Sequence, residues 1–375
     1  MDVPLCRPYL GKEELERIKA VLDSGWLVHG PNCKQLEKDF AEFIGVKHAL
    51  TLNSCASALQ LALQAKGITG EVIVPSFTFV ASANTIVNAG AKPVFAEIDY
   101  GTCNIDPAKI EEKITDKTEA IMPVHYAGQP CDMEAIMKIA KEHNLAVIED
   151  SAETLGADFK GKQAGSFGIG CFSFFPTKNM TTGEGGMITT DDDAVADKVK
   201  AFKGHGIGTS TFDREHVDEP WYREAVLAGY NYRMCDVLAA IGVVQLGKLK
   251  EMNTLRRKHS EFLNKNLPTD YVDLPVKAEG CDHVYQMYTI KVHDSIDRTK
   301  FVHYLRDKGV GASVHFDPPA HLHSYYRKNF PVTGLDVTEK VARSIVTLPM
   351  FPTLTEEELD YMIKQVEGAV ESCRK

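Results

Sequence analysis

A chain of 375 residues exceeds what one hydrophobic core usually serves, since domains run to roughly 100–200 residues, so two are expected. Its 44% apolar and 25% charged content is that of a globular protein, and a formal charge of −10 excludes the broad basic face that nucleic acid or an anionic membrane would need. No stretch reads as a secretory signal or a membrane span, so a cytoplasmic protein is expected. Nine cysteines, an odd set without a C-x-x-C pair, read as reduced structural thiols and not as a disulfide framework or zinc site.

From Lys12 to Leu22 apolar residues recur at helical spacing, and a second amphipathic helix runs through Leu36, Phe40 and Phe43 to Gly45. Ala49–Leu52 is a short strand. Asn53 or Ser54 then caps a helix that Gly67 closes. Strands at Val72–Val74, Pro93–Ile98, Ala120–Val124 and Ala146–Glu149 alternate with helices near Ala81–Ala89 and Met133–His143, which implies a mainly parallel sheet covered on both faces. Two more strands, Cys171–Phe175 and Met187–Thr190, flank the glycine-rich turn Pro176–Gly186. From His205 to Tyr232 the sequence is aromatic, polar and aperiodic. A helix from Val237 to about Leu255 follows, with Arg256-Arg257-Lys258 suiting its C-terminus. Strands at Tyr288–Val292 and Ala312–His315 and helices near Arg298–Lys308 and Thr355–Ser372 suggest a smaller α+β domain, placing the division at 1–250 and 251–375.

Ligands of parallel sheets sit beyond the carboxyl ends of the strands, so the residues just after each strand are the ones to inspect. Ser54–Leu59 begins a helix with small residues, where free N–H groups and the helix dipole can hold a phosphate; the plainer alternative is a cap that binds nothing. Asp150 ends its strand and can either pair with a protonated pyridine nitrogen or cap a following helix. Lys178 follows the apolar run Phe172–Pro176 and precedes a turn whose glycines let backbone approach a ligand closely, while an ordinary turn lysine would be a solvated charge. A phosphate site, a strand-end carboxylate and a lysine in a glycine-rich turn are together the parts that a pyridoxal 5'-phosphate (PLP) site requires.

With Pro75–Ala81, Gly90–Phe95, Asn104–Pro107, Pro123–His125, Glu149–Glu153, Phe172–Gly186 and Gly229–Met234, the chain resembles the DegT/DnrJ/StrS-type sugar aminotransferases, in order, from about Pro8 to Pro352. The resemblance implies the α/β type I aspartate-aminotransferase fold, a large mainly parallel-sheet domain plus a smaller C-terminal α+β domain. It implies Lys178 as the Schiff-base lysine, Asp150 on the pyridine nitrogen, and Glu153 at the position, often glutamine, beside the cofactor's phenolic oxygen. It further implies Phe79 on the ring face, Cys55, Ala56 and Ser173 as the phosphate cradle, and Asn231 reaching the phosphate of the other subunit in a homodimer. Where the family commonly has Gly-Thr this chain has Cys55-Ala56, so a threonine hydroxyl is missing from the cradle.

The activity implied is transfer of an amino group from an amino acid, glutamate being expected, to a nucleotide-linked keto-deoxy sugar, without nucleic-acid, membrane or metal partners. Alternatives are a keto-cyclitol aminotransferase and a non-catalytic regulatory protein on the same fold. His315, His321, His323, Tyr325 and Tyr326, and Trp26 and His29 in the early loop, lie where substrate contacts are expected but read equally as ordinary surface or half-buried residues.

Overall fold

The computed structural model describes residues 1–207, 212, 219 and 221–375. Parts of the aperiodic 205–232 stretch, namely 208–211, 213–218 and 220, lie outside the described residues. The strands of the main sheet are β1 (His48–Leu52), β2 (Glu71–Pro75), β3 (Lys92–Ala96), β4 (Thr118–Ile121), β5 (Ala146–Asp150), β8 (Ile169–Ser173) and β9 (Gly186–Thr190); the short β6 (Asp158–Phe159) and β7 (Lys162–Gln163) form a hairpin beside them. The order across the sheet is β1-β9-β8-β5-β4-β2-β3. Pairing is parallel from β3 through β8, and β9 runs antiparallel to both its neighbours. Because both faces are covered, these strands are almost wholly buried runs of β-branched and apolar residues and not alternating ones.

Helix Cys55–Lys66 packs across β1, β5, β8 and β9 through Ala58, Leu59, Ala62 and Leu63. Ser54 caps it by accepting from the Ser57 N–H, and Gly67, at φ 71, ends it in the left-handed conformation that glycine tolerates best. Beyond the sheet the chain forms the helix Asp236–Asn266 and a second sheet of order β10-β12-β13, comprising β10 (Val272–Asp273), β12 (Tyr288–Val292) and β13 (Ile345–Leu348); β11 (Cys281–Asp282) instead extends the β6–β7 hairpin. Helices Arg298–Asp307 and Glu356–Ser372 close a second core on that sheet, and Val3, paired with Val310, belongs to the same core.

Two expectations need correction. The helix expected to stop near Leu255 runs on to Asn266, because Arg256 turns inward onto backbone carbonyls and Arg257 pairs with Asp282, so the basic run caps nothing. Termination comes at Leu267, which precedes Pro268 and is extended, at ψ 149. Ala312–His315 is not a strand of the sheet: a single bridge, Ser313 to Thr347, ties it to β13 before Pro318 and Pro319 exclude further ladder bonds. All nine cysteines are free thiols, and no helix among the described residues is long and apolar enough to cross a membrane.

Candidate active site

The carboxyl ends of β1, β2, β5 and β8 converge on one cavity of about 390 Å³. Lys178, Asp150, Glu153, Cys55, Ala56, Ser173 and Phe79 all line it. Lys178 sits in the turn after β8, where its N–H donates to the Phe175 carbonyl at 2.9 Å, and its Nζ donates to Glu153 Oε1 at 3.2 Å. The other Glu153 oxygen accepts the Ala127 N–H at 2.8 Å, and Ala127 holds φ 57, a left-handed conformation uncommon for a non-glycine residue and often found at functional sites.

Asp150, 5% exposed, accepts from Ser82 Oγ at 2.7 Å and from the Ala152 N–H at 3.2 Å. No helix follows it, so the capping alternative falls away. Burial pushes its carboxyl above the ordinary value and Glu153 adds to that; the Ser82 hydroxyl, the Ala152 N–H and the Lys178 charge oppose it. A carboxylate so placed gains most from a cation brought against it.

At the start of helix Cys55–Lys66 the N–H groups of Ser57 and Ala58 are taken by Ser54, whereas those of Cys55 and Ala56 have no partner among the described residues and border the cavity. Gly186 makes room there: a Cβ on it would lie 2.4 Å from the Ser54 carbonyl carbon and 2.6 Å from the Cys55 nitrogen. Two unpartnered N–H groups at a helix N-terminus, with Ser173 lining the same cavity, fit a phosphate; a buried carboxylate and a lysine on that cavity fit the pyridine ring and aldehyde of PLP. The Cys55 thiol is pushed well above its ordinary value by burial, which makes it a filler and not a nucleophile. Phe79 is 62% exposed at the cavity wall, with its ring centre 6.2 Å from that of Phe316.

A profile of the DegT/DnrJ/EryC1/StrS aminotransferase family matches residues 8–367. The chain belongs to that family. It is 39% identical over 386 residues to the spore coat polysaccharide biosynthesis protein SpsC of Bacillus subtilis (strain 168), a match that spans 99% of this chain and 98% of SpsC. Among solved structures it is similar to Helicobacter pylori PseC, an aminotransferase involved in the biosynthesis of pseudoaminic acid, with TM-score 0.92, 29% identity, and 99% and 100% of the two chains covered. It is also similar to S. venezuelae DesV, solved in complex with a ketimine intermediate, with TM-score 0.87, 32% identity, and 96% and 94% covered. The protein is thus a PLP-dependent sugar aminotransferase of the type I fold, and neither the keto-cyclitol nor the non-catalytic alternative is favoured.

Of the remaining candidates in this aminotransferase, His315 lines the cavity, its Nδ1 2.9 Å from Thr347 Oγ1. His321 is buried against Ser76, His323 contacts the Pro318 carbonyl, Tyr326 donates to Asn84, and Tyr325 is exposed; none of the four lines the cavity. Trp26 packs on Phe212 and His29 on Glu37, also away from it. Asn231 is exposed on the aromatic stretch, bridged to Gly204, and does not line the cavity of its own chain. Ser82, Ala127 and Gln286 were missed. Ser82 had a faint signal, as a small polar residue in the apolar stretch after Phe79; a backbone N–H and a glutamine far along the chain had none.

Proposed function

We propose that this aminotransferase moves an amino group from an amino acid, glutamate in our reading, to a nucleotide-linked keto-deoxy sugar. The carrying observation is a cavity of about 390 Å³ lined by Lys178, Glu153 and Asp150, roomy enough for a sugar beside a cofactor ring. The relatives named for polysaccharide and pseudoaminic acid biosynthesis support a sugar acceptor. Among the described lining residues Lys178 is the only lysine or arginine, so the charge that meets a diphosphate must come from the rim or a second subunit, where Arg327 and Arg233 are our candidates.

In this proposal Cys55, Ala56 and Ser173 hold the phosphate, Phe79 covers the ring face, Asp150 keeps the pyridine nitrogen charged, and Asn231 reaches the phosphate of the other subunit. Bound there, PLP supplies the electron sink that lets a proton leave the carbon beside an amino group. Lys178 Nζ takes that proton from the donor carbon as general base and delivers it as general acid to a different carbon, so that the donor leaves as a keto acid. Glu153, 3.2 Å away, orients the amine between these tasks. On the acceptor, Lys178 delivers the proton to the carbon that becomes the amine-bearing one. The enzyme works as a cytoplasmic homodimer in this reading; free thiols throughout support the reducing compartment.

The test compares kcat/KM, with glutamate as donor, for a nucleotide-linked keto sugar, the free sugar, pyruvate and oxaloacetate. The nucleotide-linked sugar is expected to lead, and removing the nucleotide to lower kcat as well as raise KM, since remote binding energy supports the reacting end. Equal or better rates with the keto acids would reject the sugar acceptor.

A further inference from the structure

Among the buried polar side chains of the helix Asp236–Asn266 are Asn253 and Arg256, one turn apart, and neither lines the cavity. Asn253 accepts from Asn179 Nδ2 at 2.7 Å, next to Lys178, and donates to the Leu155 carbonyl at 3.0 Å. Arg256 is 1% exposed, and no carboxylate lies within ion-pair range of it among the described residues. Its Nη1 donates to the carbonyls of Met350 at 2.8 Å, Gln286 at 3.2 Å and Tyr285 at 3.4 Å, while its Nε has no partner. Burial lowers its pKa to about 10. A guanidinium buried without a counter-charge is costly, and an apolar side chain of similar volume would fill the space at less cost, so its value lies in what it holds.

It holds the backbone of Gln286. That residue, 4% exposed, donates Nε2 to the carbonyl of Thr177 at 2.8 Å, the residue just before Lys178. Because a carbonyl accepts and cannot donate, this contact fixes which way the amide faces and leaves Gln286 Oε1 unpartnered. Cys6 Sγ adds a weaker tie to the Pro176 carbonyl at 3.4 Å. Carbonyls of both residues preceding Lys178 are therefore tethered from outside the turn.

We propose that Arg256 and Gln286 are positioning residues for Lys178: the guanidinium fixes the Gln286 backbone, and the Gln286 amide fixes the Thr177 carbonyl, holding the reactive amine against Glu153. The inference rests on Lys178 being the cofactor-bearing lysine. The strut runs from the long helix to the turn after β8; Gln286 borders the cavity and Arg256 does not, so a loss of order passed on from Arg256 displaces the amine without touching substrate. A displacement near 1 Å at a reacting group costs up to about 100-fold in rate.

The test uses the cofactor-loaded protein with Gln286→Leu, which keeps the volume and removes the tie, and Arg256→Lys, which keeps the charge and loses the planar fork. For Gln286→Leu, kcat is expected to fall about 10- to 100-fold with KM for the amino donor within about twofold. The pH midpoint of the visible absorbance without substrate is expected to shift, with the thermal midpoint largely kept. Arg256→Lys is expected to shift the same midpoint in the same direction. A folded Gln286→Leu protein with unchanged kcat or unchanged absorbance midpoint, or with a rise in KM alone, would overturn the strut; a folded Arg256→Lys protein with unchanged absorbance would overturn the Arg256 part of it. If Arg256→Lys does not fold, Gln286→Leu decides. Borohydride labelling of the wild type separates the premises: label on Lys178 with unchanged variants rejects the strut alone, and label on another lysine rejects the assignment beneath it.

Discussion

Burial raises the carboxyl of Asp150, and the Ser82 hydroxyl, the Ala152 N–H and the Lys178 charge only partly offset it. A protonated pyridine nitrogen against that carboxylate would restore the balance, which is why charge and not mere polarity is needed here. Asp150→Asn leaves an oxygen for the Ser82 or Ala152 donor but cannot carry the charge, so it is expected to retain cofactor while losing about 100- to 1000-fold in kcat. Cofactor absorbance and single-turnover rates check this, and near-normal turnover would remove Asp150 from the role. Lys178 and Asp150 were legible as cavity residues because Asp150 ends an apolar strand, Lys178 lies in the turn after another, and each sits in a run of distinctive neighbours. Ser82, Ala127 and Gln286 were not, since their contacts with Asp150, Glu153 and Thr177 span 68, 26 and 109 positions. No local period reports such pairings.

At the scale of elements, helices with a full amphipathic period and clear ends were readable: Met133–His143 runs as expected, with Asp132 capping its start by accepting from the Ala135 N–H and Asn144 closing it at φ 54. The errors came where side chains act through tertiary contacts. Arg256 looked like a helix end because nothing local says that a guanidinium turns inward. The stretch Ala312–His315 has strand-like residues but only one bridge to β13, whose own strand Ile345–Leu348 was hidden in a helix-to-loop passage. The turn between β11 and β12 carries a pH consequence. His283 lies flat on Tyr285, ring centres 3.9 Å apart, and its Nδ1 accepts the Tyr285 N–H at 2.9 Å. Burial, with the charges of Lys277 and Arg257, pushes its pKa down to about 3. The unfolded chain takes this proton near pH 6.5 and the folded chain does not, so stability is complete above 6.5 and falls by about 1.4 kcal/mol per pH unit as pH drops towards 3. His283→Phe is expected to remove that share of the slope in denaturant melts between pH 6.5 and 5. An identical slope in the variant would contradict the assignment.

At the scale of the molecule, the main sheet gathers a lysine, two carboxylates and a helix N-terminus at its carboxyl edge, while Leu5, Met287, Phe316 and Met350, the last from the second core, add apolar lining to the same cavity. Asn231 is exposed and outside this cavity, in keeping with a proposed role towards a second subunit. Mixing Lys178→Ala and Asn231→Ala subunits is then expected to recover one intact site per mixed dimer. Mixed dimers that form and stay inactive would argue against sharing. The role of Lys178 is tested most directly by borohydride reduction of the yellow, cofactor-loaded protein followed by peptide mapping. The label is expected on the peptide containing Lys178, between Phe175 and the glycine-rich turn. A label on any other lysine would contradict it.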